Sequence, residues 1–402
     1  MPEAVIVATG RTPIGRAMKG SLVDCRPDDL AALVIKEVLA KVPALDPNTV
    51  EDVILGSGQP AGEAGYNVAR VAALLAGLPN VPGVTVNRYC SSSLQTIRMA
   101  AHAIRAGEGD VFVAAGVETV SRYRHGAADI GPHHPAFATA EERTAARTPK
   151  AGDPWAPLEG TLPDVYIAMG QTAENVAELM GVSRQEQDEY ALQSQTRAVA
   201  AQESGFFERE IIPVTTPDGT VVTKDDGPRP STTLEGLANL QPAFREGGTV
   251  TAGNACPLND GAAAVVVMSD TRAAQLGITP LARIVASGVS GLNPEIMGLG
   301  PVDAVRQTLG RAGMTIDDVD LVEINEAFAA QVIPSARELG ISWDKLNVRG
   351  GAIALGHPFG QTGARIMTTL LNALEDTGKT IGLETMCVGG GQGMAMIVER
   401  LS

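Results

Sequence analysis

The chain has 402 residues and a formal net charge of −15, because its 46 acidic residues outnumber its 31 basic ones. So large a negative charge argues against non-specific binding to nucleic acid or to an anionic membrane surface, since both carry charge of the same sign. With 44% hydrophobic and 19% charged residues, the composition is that of a globular protein and excludes disorder over most of the length.

A short apolar run at residues 4–8 opens the chain, preceded by the acidic Glu3 rather than by a basic segment. This order predicts a strand and not a signal peptide. Apolar runs elsewhere, such as residues 262–268, are far shorter than the roughly 18 residues that cross a bilayer. Four cysteines are too few for a disulfide scaffold. We therefore expect a cytoplasmic protein with reduced thiols.

Strand-like and helix-like segments alternate in the first part of the chain. Short β-branched runs predict strands at residues 50–55, 84–87 and 111–115. Residues 29–41 and 93–105 carry apolar side chains at helical spacing, and Gly107 follows the second helix as a stop signal. This rhythm predicts an α/β fold with largely parallel strands.

Residues 121–248 differ in character from what precedes them. Residues 122–162 are rich in proline, glycine, alanine and charge. Helices are predicted at 171–180 and 184–205, and a turn-rich segment follows them. We interpret this stretch as an inserted loop domain, where binding residues tend to lie. Residues 249–279 then complete the first half with a strand.

The last part of the chain repeats the pattern of the first. A predicted helix at 303–312 leads to a strand at 320–324, and the strand-to-helix corner at Cys90 has a counterpart at His357. The repeat predicts two similar α/β halves related by a pseudo-twofold axis, although any two βαβ units look somewhat alike. The expected domains are an N-terminal half (1–120, completed by 249–279), an insert (121–248) and a C-terminal half (280–402).

Cys90 follows a predicted strand that ends at Asn87 and precedes a helix that begins near Ser91. Free N–H groups and the helix dipole favour a thiolate at such a position. A sharp strand-to-helix turn also presents a nucleophile well. The segment alone leaves two interpretations open, a nucleophilic thiol and a buried structural cysteine.

His357 has the most constrained surroundings of the five histidines, because glycines crowd residues 350–363 and let backbone approach backbone closely. A histidine in such a turn is compatible with a purely structural role. Paired with a cysteine at the equivalent corner of the other half, it becomes a candidate general base. The remaining histidines lie on a helix face or in the insert, where we expect them to be solvated.

Cys387 and Asn325 also follow or end strands. Three consecutive glycines, Gly389–Gly391, come after the strand of Cys387. Their unobstructed N–H groups suit an oxyanion site, and a tight hairpin is the alternative. The context does not fit dinucleotide binding, which needs a helix after the glycines. Asn325 precedes a helix, and its amide either holds a water or carbonyl group or caps that helix.

Each of these four segments places a polar residue just beyond the carboxyl end of a strand, the face at which parallel sheets bind ligands. In order along the chain, NRYCSSSLQ, INEAFAAQ, GGAIALGHPFGQTGAR and CVGGGQG resemble the nucleophile-cysteine, NEAF, GHP and CxG segments of the thiolase family. RTPIGR and TAGNACPLNDGAAA match as well, so the likeness covers nearly the whole chain.

The resemblance implies a layered αβαβα fold, built from two similar βαβ-rich halves with an inserted loop domain. It implies an acyltransferase that cleaves 3-ketoacyl-CoA by thiolysis, or forms it by the reverse Claisen reaction. CoA and acyl-CoA would be the substrates, and no cofactor or metal is expected. The family also implies a homodimer or homotetramer.

The resemblance further assigns roles to individual residues. Cys90 would be the acylated nucleophile and His357 the base that activates it. Cys387 would be the acid/base that protonates the departing acetyl-CoA carbanion. Asn325 would hold a water that, with His357, forms one oxyanion hole, and the N–H groups of Cys90 and Gly389 would form the other.

In the insert, Met169 and Arg229 match positions that line the pantetheine and adenine parts of CoA. Arg229 would supply the local cation that a phosphate ligand needs on an acidic chain. Three departures stand out. The serines at 91–93 replace smaller residues and imply a reshaped acyl pocket. Cys256 replaces a serine that hydrogen-bonds pantetheine, and Ala168 replaces a histidine of acetoacetyl-specific members, which favours a broader, degradative activity of the β-oxidation type.

Three alternatives to a 3-ketoacyl-CoA thiolase remain. The first is an acetoacetyl-CoA-specific biosynthetic thiolase. The second is a decarboxylating ketoacyl synthase of the same fold, which would pair its cysteine with two histidines or with histidine and asparagine. The third is a non-catalytic CoA-binding relative, which would be expected to have lost the nucleophile or the histidine.

Overall fold

The computed structural model describes residues 2–147 and 155–402. In this part of the chain the strands are β1 (Ala4–Arg11), β2 (Gly15–Arg16), β3 (Asp52–Gly56), β4 (Gly83–Val86), β5 (Val111–Thr119), β6 (Val214–Thr215), β7 (Val221–Val222), β8 (Asn259–Ser269), β9 (Ala282–Gly291), β10 (Leu321–Ile324), β11 (Ile381–Val388) and β12 (Gln392–Arg400). The helices are α1 (Pro27–Ala40), α2 (Val68–Leu75), α3 (Ser92–Ala106), α4 (Ala138–Ala146), α5 (Met169–Met180), α6 (Arg184–Glu203), α7 (Leu234–Ala238), α8 (Asp270–Leu276), α9 (Gly300–Ala312), α10 (Ala329–Leu339), α11 (Ala352–Leu355) and α12 (Thr362–Asp376). The strands and helices predicted above are present, with ends that differ by a few residues.

The first half of the chain forms five strands in the order β4–β3–β5–β8–β1. β3 pairs in parallel with both β4 and β5, whereas β8 runs antiparallel to β5 and to β1. β5 and β8 are buried along their whole length. Strands covered on both faces read as continuous apolar runs, which is why the sequence marked them clearly.

The second half repeats this arrangement in the order β10–β11–β12–β9. β10 and β11 are parallel, and β12 runs antiparallel to β11 and to β9. A parallel bridge between Val322 and Leu346 takes the place that β4 holds in the first half. The two halves therefore share one topology, and they join where β1 pairs briefly with the start of β9.

Two central helices lie between the strands of the two halves. α3 and α12 pack against each other, and a buried cluster that includes Leu94, Ile97, Met367 and Leu370 fills this middle layer. α1 and α2 cover the outer face of the first half, and α9 and α10 cover that of the second. The result is the layered αβαβα fold.

The central helices approach closely because a glycine stands at their contact. A Cβ atom added at Gly363, in α12, would lie 2.3 Å from the main-chain nitrogen of Leu94 in α3. Ser93 Oγ accepts a hydrogen bond from the N–H of Ala364 (2.9 Å), which satisfies a donor of the first turn of α12. The N-termini of α3 and α12 therefore face each other, and the two corners predicted to carry the chemistry come together.

The insert contacts both halves of the molecule. α5 and α6 pack on α10 of the second half. The turn-rich segment is tied to the first half, since the Asp225 carboxylate accepts hydrogen bonds from the Arg11 guanidinium (2.8 and 3.0 Å) and from the Ile14 N–H (2.8 Å). A Cβ atom added at Gly227 would lie 2.1 Å from the Ala354 carbonyl oxygen, so this segment also lies directly against α11.

Candidate active site

Cys90 lies in a single 3-10 turn, Tyr89–Ser91, between β4 and α3. Tyr89 has a φ of 40°, which is uncommon for a residue other than glycine. Its N–H donates to Asn87 Oδ1 (2.7 Å), which holds the turn in place. Cys90 is 7% exposed. Its thiol can therefore meet a bound substrate while it is largely shielded from bulk water.

The prediction that the helix N-terminus holds Cys90 as a thiolate is wrong for the resting protein. Burial raises the pKa of Cys90 to about 11, even though the N–H groups of Gly389 and of Cys90 itself face the sulfur and lower its pKa. The thiol is therefore protonated at neutral pH and needs a base to become a nucleophile. The two N–H groups are the pair expected to form an oxyanion hole.

The three serines at residues 91–93 do not line the cavity that Cys90 borders, and their effect on the acyl pocket stays a prediction. All three are fully buried. The hydroxyls of the first two donate to the main-chain carbonyls of Arg88 (3.2 Å) and Tyr89 (2.7 Å), and the third accepts from α12. These hydrogen bonds brace the turn behind the thiol rather than narrowing the space in front of it.

His357 is 1% exposed, and each of its three nitrogen atoms has a partner. The main-chain N–H donates to Asn259 Oδ1 (3.0 Å), Nδ1 lies 2.6 Å from Thr362 Oγ1, and Nε2 lies 3.2 Å from Asn325 Nδ2. The Thr362 hydroxyl donates to the Pro358 carbonyl (2.8 Å), so it accepts from Nδ1–H. This network assigns the neutral tautomer with its lone pair on Nε2, as a general base requires.

Burial, with the positive charge of Arg365 as a smaller cause, lowers the pKa of His357 to about 3. The imidazole is therefore neutral at physiological pH. Its ring packs edge-on against Phe359, with 5.2 Å between the ring centroids. Phe359 and Cys90 line the same cavity, so His357 lies directly behind the wall that contains Cys90.

Asn325 does not cap the helix that follows it. α10 begins at Ala329, and its N-cap residue Phe328 makes no side-chain capping bond. The Asn325 amide nitrogen instead points at His357 Nε2. Of the two interpretations that the sequence left open for this residue, the capping one is wrong.

Cys387 is the last but one residue of β11 and lies opposite Gly393 of β12. It is fully buried. Burial raises the pKa of Cys387 well above its usual range, and the charges of Cys90 and Cys256 raise it further. The three thiols therefore lie within electrostatic reach of one another, with Cys387 held neutral at rest.

The side-chain amide of Gln331, on α10, is a neighbour of Cys387 that the sequence did not reveal. One of the two terminal atoms of this amide lies 3.5 Å from Cys387 Sγ. The same atom faces the main-chain carbonyl oxygen of Asn325, so it is the amide nitrogen, which donates a hydrogen bond to that carbonyl (3.1 Å). A donor beside the sulfur stabilises the thiolate of Cys387 when it forms. Gln331 closes the INEAFAAQ segment, which is the one signal that pointed to it.

Glu118, a buried acid in β5, is a second residue that sequence reasoning missed. Its Oε2 accepts hydrogen bonds from the N–H groups of Gly58 (2.7 Å) and Gly360 (2.9 Å). Its Oε1 accepts from the N–H of Gln59 (3.1 Å) and from the Tyr123 hydroxyl (3.0 Å). The Glu118 carboxylate thus links the loop of the GHP segment to the turn after β3 through hydrogen bonds. Burial raises the pKa of Glu118 to about 7. The signal available in the sequence was an acidic residue within an otherwise largely apolar strand.

The cavity that Cys90 borders has a volume of about 600 Å³. Its wall consists of Gln59, Tyr89, Cys90, residues 128–133, residues 165–169, Phe359, Gly389 and Gly390. The wall therefore combines the nucleophile turn and the hairpin glycines with two stretches of the insert. Met169, predicted to line the pantetheine part of CoA, belongs to this wall, and so does Ala168.

Arg229 and Cys256 lie outside this wall. The Arg229 N–H donates to Gln195 Oε1 (2.9 Å), and its guanidinium makes no ion pair with a described residue. Burial and the nearby charge of Arg16 lower the pKa of Arg229, so two cations stand close together. Cys256 is partly exposed, and its N–H donates to the Ala327 carbonyl (3.0 Å).

Within residues 2–147 and 155–402, no group of three or more His, Cys, Asp or Glu side chains is placed to hold a metal ion. None of the helices formed by these residues combines the length and the apolar character needed to span a bilayer.

A duplicated α/β topology with a cysteine and a histidine at matching corners of its two halves defines a thiolase-like fold. Residues 4–271 match the family description "Thiolase, N-terminal domain", and residues 278–400 match "Thiolase, C-terminal domain". The chain belongs to the thiolase family and is an acyltransferase. Thiolases act on CoA thioesters, and these matches do not support the ketoacyl-synthase alternative or a non-catalytic relative.

Individual relatives align with the chain along its whole length. A β-ketoadipyl-CoA thiolase of Acinetobacter baylyi is 46% identical over 413 residues, covering 100% of both chains. A 3-ketoacyl-CoA thiolase of Aeromonas hydrophila is 44% identical over 412 residues, again covering 100% of both. The crystal structure of the Bacillus anthracis acetyl-CoA acetyltransferase has a TM-score of 0.85 and 41% identity, covering 100% of this chain and 99% of that one.

Proposed function

We propose that this enzyme cleaves 3-ketoacyl-CoA by thiolysis, giving acetyl-CoA and a shortened acyl-CoA through an acyl-Cys90 intermediate. The observation that carries the proposal is the hydrogen-bonded chain Asn325–His357–Thr362 beside the cavity that Cys90 borders. This arrangement supplies a thiol, a base of fixed tautomer and two N–H groups directed at the sulfur.

In the first half-reaction the Cys90 thiol attacks the 3-keto carbon, and its proton passes to His357 Nε2. The N–H groups of Cys90 and Gly389 hold the oxyanion, and each such donor is worth roughly 3 kcal/mol. The C2–C3 bond then breaks. Its electron pair stays with the acetyl-CoA enolate, whose oxygen faces the Asn325–His357 pair, and Cys387 protonates the enolate carbon. The acyl group remains on Cys90 as a thioester.

In the second half-reaction the CoA thiol gives its proton to the Cys387 thiolate. The CoA sulfur attacks the acyl carbon on Cys90, and the same two N–H groups hold the new oxyanion. Cys90 leaves as a thiolate and takes back the proton from the His357 imidazolium. Every side chain returns to its starting protonation state, so the cycle consumes only the 3-ketoacyl-CoA and one CoA thiol and needs no cofactor.

Two residues of the insert are proposed to hold CoA. Met169 lies in the wall of the cavity beside Cys90, where an apolar thioether suits the pantetheine arm. Arg229, with Arg16 nearby and no acidic partner among the described residues, suits the nucleotide end. Unpaired guanidinium groups bind phosphate strongly through charge-assisted hydrogen bonds.

The size of the cavity favours a range of acyl groups over acetoacetyl-CoA alone. A volume of about 600 Å³ with the small Ala168 in its wall leaves more space than a two-carbon acyl group fills. A biosynthetic, acetoacetyl-specific thiolase would show kcat/KM falling steeply as the 3-ketoacyl chain lengthens. We expect kcat/KM to be maintained or to rise from four to about eight carbons.

Substitution of the two thiols tests the proposal. Cys90→Ser should lower thiolysis of 3-ketohexanoyl-CoA by roughly a thousandfold or more, because the acyl thioester cannot form. Cys387→Ser should still be acylated at Cys90 by an acyl-CoA, while carbon–carbon cleavage falls about a hundredfold or more. Cys25→Ser is the matched control, since Cys25 is buried outside the cavity wall. Undiminished thiolysis by Cys90→Ser would refute the assignment.

A further inference from the structure

We propose, on the basis of the thiolase function above, that this enzyme accepts uncharged acyl chains and rejects substrates with a second carboxylate at the far end. Asp129 is the residue to which the structure assigns this selectivity. The inference separates the chain from its β-ketoadipyl-CoA thiolase relative, whose named substrate carries such a carboxylate.

The wall of the cavity offers no arginine or lysine to a substrate carboxylate among the residues that the structure describes. Its side chains are mainly apolar or aromatic, with Ile130, Val165, Ile167, Met169 and Phe359 among them. A carboxylate that leaves water needs a cation or several hydrogen-bond donors to offset the loss of its hydration. Among the described residues this wall supplies no such cation, and its uncharged donors are the side chains of Gln59, Tyr89 and Tyr166.

Asp129 adds a negative charge to the same wall. Its main-chain N–H donates to Gln59 Oε1 (3.1 Å), as does the N–H of Ala128 (2.6 Å), so one buried amide holds this loop at the cavity. The Asp129 carboxylate has no hydrogen bond or ion pair with a described residue. Burial raises the pKa of Tyr89, another residue of the wall, and the charge of Asp129 raises it further.

Among the described residues of the wall, His133 alone has a side chain that can carry a positive charge, and the Glu141 carboxylate lies against it. Nδ1 lies 2.8 Å from Glu141 Oε2. The ring stacks on Tyr166 with 3.8 Å between centroids and planes within 5°. If His133 is protonated, the ion pair with Glu141 is neutral, and the net charge of this side of the cavity stays negative because of Asp129.

A matched pair of substrates tests the inference. 3-Ketohexanoyl-CoA and β-ketoadipyl-CoA both have six acyl carbons and differ only in the terminal carboxylate. For the wild-type enzyme we expect kcat/KM to be at least about tenfold higher for 3-ketohexanoyl-CoA. Asp129→Asn should raise the ratio of kcat/KM for β-ketoadipyl-CoA to that for 3-ketohexanoyl-CoA roughly three- to tenfold.

Glu142→Gln is the matched control, because Glu142 is an exposed acid of the same insert outside the cavity wall. It should leave the ratio of the two kcat/KM values unchanged. Asp129 is itself exposed, so its substitution should not impair folding. Equal or better cleavage of β-ketoadipyl-CoA by the wild type would overturn the inference while leaving thiolase activity intact. Cleavage of neither substrate would overturn the proposed function, and the inference with it.

Discussion

At the scale of single residues, burial keeps the reacting groups neutral until a substrate arrives. It raises the pKa of Cys90 to about 11 and lowers that of His357 to about 3. The thiol and the imidazole are thus both uncharged over the physiological range. In the proposed mechanism a proton moves between them only when the developing oxyanion meets the N–H groups of Cys90 and Gly389, which ties activation of the nucleophile to the bound substrate.

The raised pKa of Cys90 predicts the pH dependence of its alkylation. Because the group is a thiol below its pKa, the thiolate fraction rises about tenfold for each pH unit up to roughly pH 11. Inactivation of the resting enzyme by iodoacetamide should therefore accelerate steadily between about pH 7 and pH 10, and acetyl-CoA should protect. A rate that levels off near neutral pH would indicate a preformed thiolate and contradict the neutral resting state.

Thr362 fixes the tautomer of His357, and its role can be separated from packing. Thr362→Val removes the acceptor of Nδ1–H while keeping the shape of the side chain. We expect kcat to fall roughly ten- to a hundredfold, with an altered pH profile, because the lone pair is no longer held on Nε2.

Thr368→Val is the control for this substitution. Thr368 is a buried threonine of the same helix whose hydroxyl donates to the Ala364 carbonyl (2.8 Å). Both variants should change the melting temperature by similar amounts, but only Thr362→Val should change the pH profile of kcat. Equal activity of the two variants would remove Thr362 from the site.

At the scale of elements, the contact between α3 and α12 sets the geometry of the site. Each helix begins at one of the two corners, so a shift of either helix moves one reacting group relative to the other. Gly363 permits the close approach, and the Ser93 hydroxyl locks the two N-termini together. Catalytic alignment therefore depends on packing in the central layer.

Substitution of Gly363 tests this packing. The added methyl of Gly363→Ala would meet the main-chain nitrogen of Leu94 at 2.3 Å, so we expect a loss of about 1–3 kcal/mol in the free energy of unfolding and reduced activity. Gly310→Ala, in α9, has open space around the new Cβ and should stabilise by about 0.5–1 kcal/mol. Chemical denaturation measures both, and the same sign of change for the two variants would contradict the close-contact account.

Periodicity and turn chemistry were sufficient to predict the elements themselves. The buried strands β5 and β8 and the central helices carried strong patterns, and Gly107 ends α3 in a left-handed conformation as the sequence indicated. Segments near Cys90, His357, Cys387 and Asn325 were singled out because each was expected to follow a strand. That expectation is wrong for two of them, since Cys387 lies within β11 and His357 follows the short helix α11. The sequence did not reveal which residues contact each other across the fold.

The two residues that the sequence analysis missed show why long-range contacts could not be predicted. Glu118 and Gln331 act through partners that are distant in sequence, Gly58 and Gly360 in one case and Cys387 in the other. The thiolate prediction for Cys90 failed for a related reason, since the depth of burial depends on the whole fold and outweighs the local helix terminus.

At the scale of the whole molecule, duplication explains why the site needs both halves. The two halves share one strand order, and their matching corners supply Cys90 and Phe359 to one cavity wall, with His357 buried directly behind Phe359. The insert supplies two further stretches of the wall and Arg229, which is proposed to bind CoA. A homodimer or homotetramer, a cytoplasmic location and a place in β-oxidation stay predictions.

The most direct test of the account is to locate the acyl group after the resting enzyme is mixed with acetyl-CoA in the absence of a second substrate. Acid quench, proteolysis and peptide mass spectrometry would identify the modified residue. We expect one acetyl group on the peptide that contains Cys90, and none on the peptides of Cys256 or Cys387. An unmodified Cys90, or an acetyl group on either of the other thiols, would contradict the central claim.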